Sequence, residues 1–501
     1  MDFQRPPTEV ERNWFYNGLP SQPKLLARSS LTPFRFDVDN PRSSDRKTLT
    51  VVGEHTIVSI WNNEPSTLRN QILGILTRYN VDWQAIDVLR IGYAGGRMPV
   101  IVSISVLADT LPWKTGNQVA CDCREALVEH GLGDVHCEIK ESRLVNLAKV
   151  LQKDAHAYPP EYQSYMYQLS DQLGTAIASS DNPRREGTKG IYLRRTGSEP
   201  AEIFALTCRH VCYSSSEKGS RLPGKEALPS KPVIQLPKRT YKELVGKLET
   251  SKKEVTAAIQ DAEEKQVAYS VNLSTNIARL EGDIKTVKPI LKLFYRRTLL
   301  SSRIIGEDPN FLSDWCLIRL KAESHERRLS DLSNRVYIDG NSLKSRFLAR
   351  YRTIDIQDLQ DDQTIQIRGI VAVSELQNPK QERIVGMRGR TSGLRFGVVN
   401  QVKSVTRRVT SSRTFVSHEC CIVAAGDNPS REFTQPGDSG ACVFDLAGCA
   451  VGMVTGGISR IDVLRGGDDY GLDVAVDVTY ATPMEWLLAD IKACGVTAEI
   501  L

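Results

Sequence analysis

The chain has 501 residues, with 65 Lys and Arg against 60 Asp and Glu, so its net charge is only +5. A charge this small on a chain of this length does not favour nucleic-acid binding. The strongest apolar run, residues 99–108, is far too short to cross a bilayer. We therefore expect neither a nucleic-acid partner nor a membrane, and about two to four globular domains.

Cysteine content and the start of the sequence bear on the compartment. The chain has 11 cysteines, an odd number, and its first twenty residues lack the basic stretch and apolar core of a secretory signal. Reduced thiols are therefore expected rather than a disulfide framework. We expect a cytoplasmic protein, with the nucleus as the alternative, and not a secreted one.

Residues 1–48 are rich in Pro, Ser, Asp and Arg and show no hydrophobic period, which predicts a mostly disordered segment. Residues 49–150 differ in character. There we predict a strand at HTIVSIW (55–61), a helix that opens at 66, a strand hairpin that turns near 95–96, a helix around 119–127 and a strand at VHCEIKE (135–141). The order βαββαβ is typical of a small ferredoxin-like α+β sandwich.

From about residue 172, short apolar runs alternate with turn-forming residues. Many short strands at such close intervals indicate an all-β sandwich or barrel, and we assign 155–239 and 294–501 to this domain. Residues 240–293 interrupt it with a charged segment whose apolar residues recur every three or four positions. This spacing predicts an inserted helical hairpin that resembles a coiled coil, or one long helix. Such a hairpin suits self-association or a partner protein.

The sequence PGDSG at 436–440 places Ser439 between glycines, directly after Asp438. A serine becomes a nucleophile only beside a base, which an acid must in turn orient. Of the seven histidines, His210 ends the apolar run IFALTCRHV, where it can be held rigidly. Asp314 directly precedes the apolar run WCLIRL. These three side chains are the candidate catalytic set, and a purely structural role is the alternative for each of them.

The order His, Asp, Ser and the local sequences resemble those of chymotrypsin- and trypsin-like serine proteases. LTCRHV is similar to the histidine box of that family, DWCLIRL to its aspartate box and PGDSGACVF to its serine box. Two further stretches, VGMRGRTSGLRFGVVNQV and VTYATPMEWLLADI, resemble segments of intracellular trypsin-like proteins of filamentous fungi. The resemblance covers about residues 172–495 and implies a double β-barrel that carries the helical insertion.

The resemblance also implies a role for each matching residue. His210 would be the general base, Asp314 its orienting acid and Ser439 the nucleophile of an endopeptidase that uses no cofactor. The N–H groups of Gly437 and Ser439 would form the oxyanion hole.

Substrate contacts follow from the same resemblance. The strand after the serine would pair with the backbone of a protein or peptide substrate at Thr455, Gly456 and Gly457. Phe433 would lie at the base of the primary pocket and favour apolar or small side chains. Asp468 and Asp469, in the loop that follows, would reverse this preference if they reached the pocket.

The sequence has two alternatives to an active enzyme without a metal, namely a silent scaffold and a zinc-binding protein. Cys208 and Arg209 depart from the family pattern beside His210, and the alternative function is a catalytically silent pseudoprotease that serves as a protein-binding scaffold. A zinc site is not expected because the spacing of the candidate ligands matches no common structural site. Those candidates are Cys121, Cys123, His130, His136 and Cys137.

Asp438 bears on activation. In secreted members of the family this acid pairs with a new N-terminal ammonium, usually from Ile-Val-Gly-Gly, and no such tetrapeptide occurs near residue 172. A buried carboxylate without a partner is costly. We therefore expect Asp438 to find internal donors or to become ordered on binding, with control by conformation and no obligatory cleavage.

Overall fold

The structure is a computed structural model. It describes residues 5–36, 46–147, 149–150, 167, 171–197, 202–213, 233–235, 237, 239–240, 242–243, 294–303, 311–320, 328–338, 364–409, 414–425, 432–459 and 475–501. The hairpin expected at 240–293 lies outside this set except for residues 240, 242 and 243, and Asp468 and Asp469 lie outside it too. The described part is mostly β-sheet with few helices, as predicted beyond residue 172. None of its helices has the length and apolar character needed to cross a bilayer.

The first region is a five-stranded sheet covered by helices. Its elements are α1 (Glu9–Trp14), β1 (Lys24–Arg28), β2 (Lys47–Thr50), α2 (Ile57–Asn62), α3 (Thr67–Arg78), β3 (Trp83–Tyr93), β4 (Val100–Val106), α4 (Trp113–Glu129) and β5 (His136–Glu141). The strand order is β2-β3-β4-β5-β1, antiparallel except between β4 and β5. Side chains of β3 alternate between two faces. Ile86 and Val88 share a core with α3 and α4, whereas Leu89 and Ile91 join a core shared with the second region.

The segment at 1–48, predicted to be mostly disordered, instead contains α1 and β1. β1 pairs with the edge of β5, and the buried hydroxyl of Tyr16 donates to Glu138 at 2.8 Å. The few apolar residues of this segment show no hydrophobic period. Phe15 and Leu25 are nevertheless buried, because they pack at a sheet edge that is formed by residues much later in the chain.

The strand predicted at HTIVSIW is helix α2. Ile57, Val58 and Trp61 are buried together because Trp61 lies four positions after Ile57 and three after Val58, spacings that share a helical face. The β-branched side chains of Ile57 and Val58 were misleading. Without a strand there, β4 and β5 are direct parallel neighbours. A ferredoxin-like sheet needs another strand between them, so the described order differs from the predicted one.

The second region begins directly after β5. Its strands are β6 (Arg143–Asn146), β7 (Lys149–Val150), β8 (Ala176–Ser179), β9 (Arg185–Thr188), β10 (Tyr192–Arg195), β11 (Ile203–Cys208), β12 (Val233–Gln235), β13 (Phe294–Arg303), β14 (Phe311–Arg319), β15 (Arg335–Tyr337), β16 (Thr364–Gln366), β17 (Gly369–Ile370), β18 (Arg383–Gly389), β19 (Gly393–Val399), β20 (Ser404–Val409), β21 (Thr414–Ala424), β22 (Cys442–Asp445), β23 (Cys449–Ser459), β24 (Val478–Pro483) and β25 (Ala498–Ile500). Its helices are α5 (Arg209–Cys212), α6 (Val373–Leu376) and α7 (Met484–Ala493), and a 3-10 turn spans Leu329–Asp331.

Six of these strands close into a barrel. β18 pairs with β19, β19 with β21, β21 with β24, β24 with β23, β23 with β22, and β22 with β18, all antiparallel. The other half holds the run β10-β11-β14-β13 and the small sheet β12-β8-β9-β7, and its described strands do not complete a circuit. The two halves share one core, in which Trp315 and Trp486 are each 1% exposed.

The first region is continuous with the second. β3 of the first region pairs with β20 of the second, with Ile86 opposite Val405, and β6, which follows β5 directly and precedes residue 150, pairs with β23. The buried carboxylate of Asp87 on β3 accepts hydrogen bonds from Ser404 at 2.6 Å and from Tyr480 at 3.0 Å. The boundary predicted near residue 150 is therefore bridged by a shared sheet and a shared core.

Glu419 on β21 lies near the junction of the two halves, where β21 meets β14. Its carboxyl is fully buried and accepts from Ser417 Oγ at 3.0 Å and from Thr482 Oγ1 at 2.9 Å. Burial raises the pKa of Glu419 to about 7, although the positive charge of Arg408 and the two hydroxyl groups act in the opposite direction.

Glu419→Gln should change how stability depends on pH. The Glu419 carboxyl ordinarily ionises near pH 4.5, whereas in the fold it keeps its proton to about pH 7. Between these values the folded state binds the extra proton, so the free energy of unfolding falls as pH rises, by about 3 kcal/mol. Urea titrations at both ends of this range should show a smaller fall in Glu419→Gln. The exposed-site control Glu125→Gln should match the wild type, and equal falls in all three proteins would contradict the assignment.

Candidate active site

Strand pairing brings His210 and Asp314 together. β11 ends at Cys208, His210 follows in α5, and Asp314 lies in the neighbouring β14, where Trp315 is opposite Cys208. His210 Nδ1 lies 2.5 Å from Asp314 Oδ2, and the backbone N–H of His210 donates to Asp314 Oδ1 at 3.1 Å. One carboxylate therefore holds both the ring and the backbone of the histidine.

Ser439 extends this pair into a chain of three side chains. Its Oγ lies 2.8 Å from His210 Nε2. Residues 436–440, here called the serine loop, are held by β9 of the other half. The Thr188 N–H donates to the Ser439 carbonyl and Thr188 Oγ1 donates to the Gly437 carbonyl, each at 2.9 Å. Gly437 has a φ of +111°, which residues with a side chain rarely adopt. The structure thus brings together the three side chains that the sequence singled out.

The charge of Asp314 depends on its neighbours. Burial raises the pKa of Asp314, but attraction to His210, their hydrogen bond and the positive charges of Arg408 and Arg209 outweigh burial, and the pKa is lowered. Asp314 is therefore ionised at neutral pH. An anion facing Nδ1 favours the ring proton there and leaves Nε2 to accept a hydrogen bond from the Ser439 hydroxyl.

Cys208, His210 and Asp314 offer ligand atoms within 4.8 Å of one another and form the one such group in the described part of the chain. The Cys208 thiol donates to the Val454 carbonyl at 3.1 Å, and burial raises its pKa well above the ordinary value. A protonated thiol is a poor metal ligand, and Nδ1 of His210 already faces Asp314. Within the described residues, no ligand set forms from the zinc candidates Cys121, Cys123, His130, His136 and Cys137.

Asp438 takes its donors from within the chain. The fully buried carboxylate accepts the backbone N–H groups of Thr391 at 2.9 Å, Ser392 at 3.1 Å and Gln435 at 2.8 Å, and Ser392 Oγ at 2.5 Å. Burial raises the pKa of Asp438, and these hydrogen bonds oppose the rise. The expected internal donors are thus found. Thr391 and Ser392 themselves were missed, although they lie in the GRTSG stretch that carried part of the resemblance.

The N–H groups of Gly437 and Ser439 converge on one acceptor. Both donate to the carbonyl oxygen of Leu147, from Ser439 at 3.3 Å. The strand expected to bind substrate, β23, is paired along its edge by β6, with Gly456 opposite Asn146 and Gly457 opposite Val145. A segment of the chain itself therefore lies where the sequence placed a substrate.

Phe433 and Thr455 lie beside this segment in different ways. Phe433 is 2% exposed and belongs to the apolar cluster that contains Leu147 and Val145. Thr455 Oγ1 donates to the Tyr480 carbonyl of the neighbouring strand β24 at 3.4 Å. Nothing in the local sequence singles out Leu147, because its position depends on strand pairing across about 300 residues.

No protein-family model and no curated protein matches the chain. Among solved structures, a glutamic acid specific serine protease described as using a histidine triad in substrate binding aligns at 10% identity and a TM-score of 0.30, over 65% of this chain and 98% of that one. A Cellulomonas bogoriensis chymotrypsin aligns at 10% identity and a TM-score of 0.28, over 66% and 97%. Similarity this low assigns no function, which must come from the site itself.

Asp438→Asn should lower the reactivity of Ser439 in the molecules that remain folded, in addition to lowering stability. The asparagine amide keeps one acceptor oxygen, but its NH2 group replaces the other. Each buried donor that loses its acceptor in this way costs about 1–3 kcal/mol of stability. We expect a lower Tm and at least about a tenfold slower reaction of the folded protein with a fluorophosphonate, because the loop that carries Gly437 and Ser439 loses its anchor.

Asp445→Asn is the matched control for Asp438→Asn. Asp445 is also buried and accepts two backbone N–H groups, from Ala447 at 3.1 Å and Cys449 at 2.9 Å, and it pairs with Arg383 at 2.7 Å. None of these partners belongs to the loop that carries Ser439. Its Tm should fall while reactivity per folded molecule is retained. Equal reactivity of the two variants would contradict the role given to Asp438.

Proposed function

We propose that the protein is a serine endopeptidase with Ser439 as nucleophile, His210 as general base and Asp314 as the acid that orients the base. The observation that carries this proposal is the hydrogen-bonded chain Asp314–His210–Ser439, which ends beside two convergent N–H groups. Activating a hydroxyl requires the first feature and stabilising an oxyanion requires the second. Together they suit acyl transfer from a peptide bond.

The reaction follows from the positions of these groups. Ser439 Oγ attacks the peptide carbonyl carbon while His210 Nε2 takes its proton, and the N–H groups of Gly437 and Ser439 hold the oxyanion, each worth about 3–4 kcal/mol. The imidazolium then protonates the leaving amine as the C–N bond breaks, which leaves an ester on Ser439. Water, deprotonated by the same histidine, hydrolyses the ester and restores the hydroxyl.

We propose a preference for apolar residues before the cleaved bond. The described cluster around Leu147 is apolar and includes Phe433, Val454 and Val476. Burying a Leu side chain there is favourable by about 1.5–3 kcal/mol, whereas a Lys or Arg side chain would lose the hydration of its charge among these apolar residues.

The alternative is the catalytically silent scaffold. The burial of the site favours it, since Ser439 is 0% exposed and His210 is 9% exposed. A scaffold, however, has no use for an ionised acid aligned with a base and a hydroxyl, or for two N–H groups aimed at one carbonyl oxygen.

Fluorophosphonate labelling distinguishes the enzyme from the scaffold. We expect adduct formation at Ser439 in the wild type or, if residues 143–147 block the reagent, in Leu147→Glu, because the new carboxylate cannot stay in the apolar cluster. Ser439→Ala should lose the label, Asp314→Asn should label about 10⁴-fold more slowly, and the buried control Ser417→Ala should label like its parent. A folded wild type and a folded Leu147→Glu that both resist the probe would contradict the enzyme and favour the scaffold.

A further inference from the structure

Residues 143–147 and 149–150 lie along the site as the two sides of a peptide substrate would. On one side of Leu147, β6 lies antiparallel to the edge of β23, with Leu144 opposite Ile458. The fit depends on a glycine, because a Cβ on Gly456 would lie 2.7 Å from the Val145 carbonyl oxygen. An added antiparallel strand is a usual way for a peptide to bind a sheet edge.

At Leu147 the chain meets the oxyanion donors. Its carbonyl oxygen accepts the N–H groups of Gly437 and Ser439, and its side chain is 0% exposed within the apolar cluster that holds Phe433. One of these two donors is the backbone N–H of Ser439 itself. Leu147 therefore has both features of the residue before a cleaved bond, namely a polarised carbonyl and a filled pocket.

Beyond Leu147 the segment pairs again. β7 lies antiparallel to β9, with Lys149 opposite Glu186 and Val150 opposite Arg185. β9 also holds the serine loop through Thr188. Pairing on both sides of a single carbonyl fixes the register of the chain relative to Ser439, as a productively bound substrate requires.

The segment is tethered to the site by the rest of the fold. The Ser142 N–H donates to the Val106 carbonyl at 2.9 Å at the end of the first-region sheet, and Arg408 donates to the side-chain oxygen of Asn146. β3 and β20 join the same two regions. Tethering replaces a bimolecular encounter by an intramolecular one with a high effective concentration.

We propose that the protein cleaves its own chain in cis between Leu147 and Ala148; this rests on the proposed function of Ser439. Ser439 Oγ attacks the Leu147 carbonyl carbon and gives its proton to His210. The C–N bond to Ala148 breaks, and His210 protonates the departing amine of Ala148. Water hydrolyses the ester on Ser439, and the products are residues 1–147, ending in a carboxylate, and residues 148–501, beginning with an amine. Such a cut replaces the expectation of control without obligatory cleavage.

The test is intact mass and N-terminal sequencing of the full chain made by cell-free translation, followed over time at two concentrations. We expect the wild type to give fragments 1–147 and 148–501 at a rate that does not depend on concentration. Ser439→Ala should stay whole, with cleavage at least about a thousand-fold slower. The same Leu–Ala dipeptide occurs at 26–27, 107–108, 348–349, 446–447 and 488–489, and these bonds should remain intact in the wild type.

Two substitutions of leucine by glutamate refine the test. Leu147→Glu should abolish cleavage at 147 because the apolar cluster rejects a carboxylate. Leu31→Glu, at a residue that is 67% exposed, should cleave like the wild type. A cut that persists in Ser439→Ala, or whose rate rises with concentration, would overturn the proposal by revealing another protease or a reaction between molecules.

A peptide copy of residues 143–150, RLVNLAKV, and the fluorophosphonate are tested on Leu147→Glu in parallel. If Ser439 is labelled or the peptide is hydrolysed while the wild-type chain stays whole, self-cleavage is wrong and the endopeptidase stands. If the peptide, the probe and the wild-type chain all remain unreacted, both proposals are wrong.

Discussion

The antiparallel pairing of β11 with β14 is the constraint on which the site depends. It sets Cys208 opposite Trp315, so that Asp314, one residue earlier, reaches both the ring and the backbone N–H of His210. A slip of one residue would turn Asp314 to the opposite face of the strand. The other half then supplies Ser439 from the loop before β22, which β9 holds through Thr188. His210, Asp314 and Ser439 therefore stay aligned only while the two halves remain packed together around their common core.

Three buried acids near this junction are stabilised in different ways, depending on the charged groups and hydrogen-bond donors around each carboxyl. Asp314 is surrounded by His210 and two arginines and has a lowered pKa. Asp438 has no described cation as a close partner and relies on four hydrogen bonds. Glu419 has two hydroxyl donors, and burial raises its pKa to about 7. Buried carboxyl groups are costly without such partners, so each one fixes the loop or strand that supplies its donors.

The sequence could predict the residues whose chemistry is local. His210, Asp314 and Ser439 each lie at the end or edge of an apolar run, and Gly437 is needed where φ is positive. Leu147, Thr391 and Ser392 could not be predicted as site residues because their roles come from pairing between segments far apart in the chain. HTIVSIW was assigned wrongly because its β-branched residues favour strands by propensity, while burial of one helical face decided the outcome.

The claim that Ser439 is an acyl-transfer nucleophile is tested most directly by trapping its ester. Leu147→Glu would be mixed with an activated ester of the peptide Arg-Leu-Val-Asn-Leu, quenched in acid within one turnover and digested for mass spectrometry. The account predicts that the fragment containing Ser439 gains the mass of the peptide acyl group on that residue, and that Ser439→Ala gains none. An acyl group on any other residue, or equal adduct formation in Ser439→Ala, would contradict it.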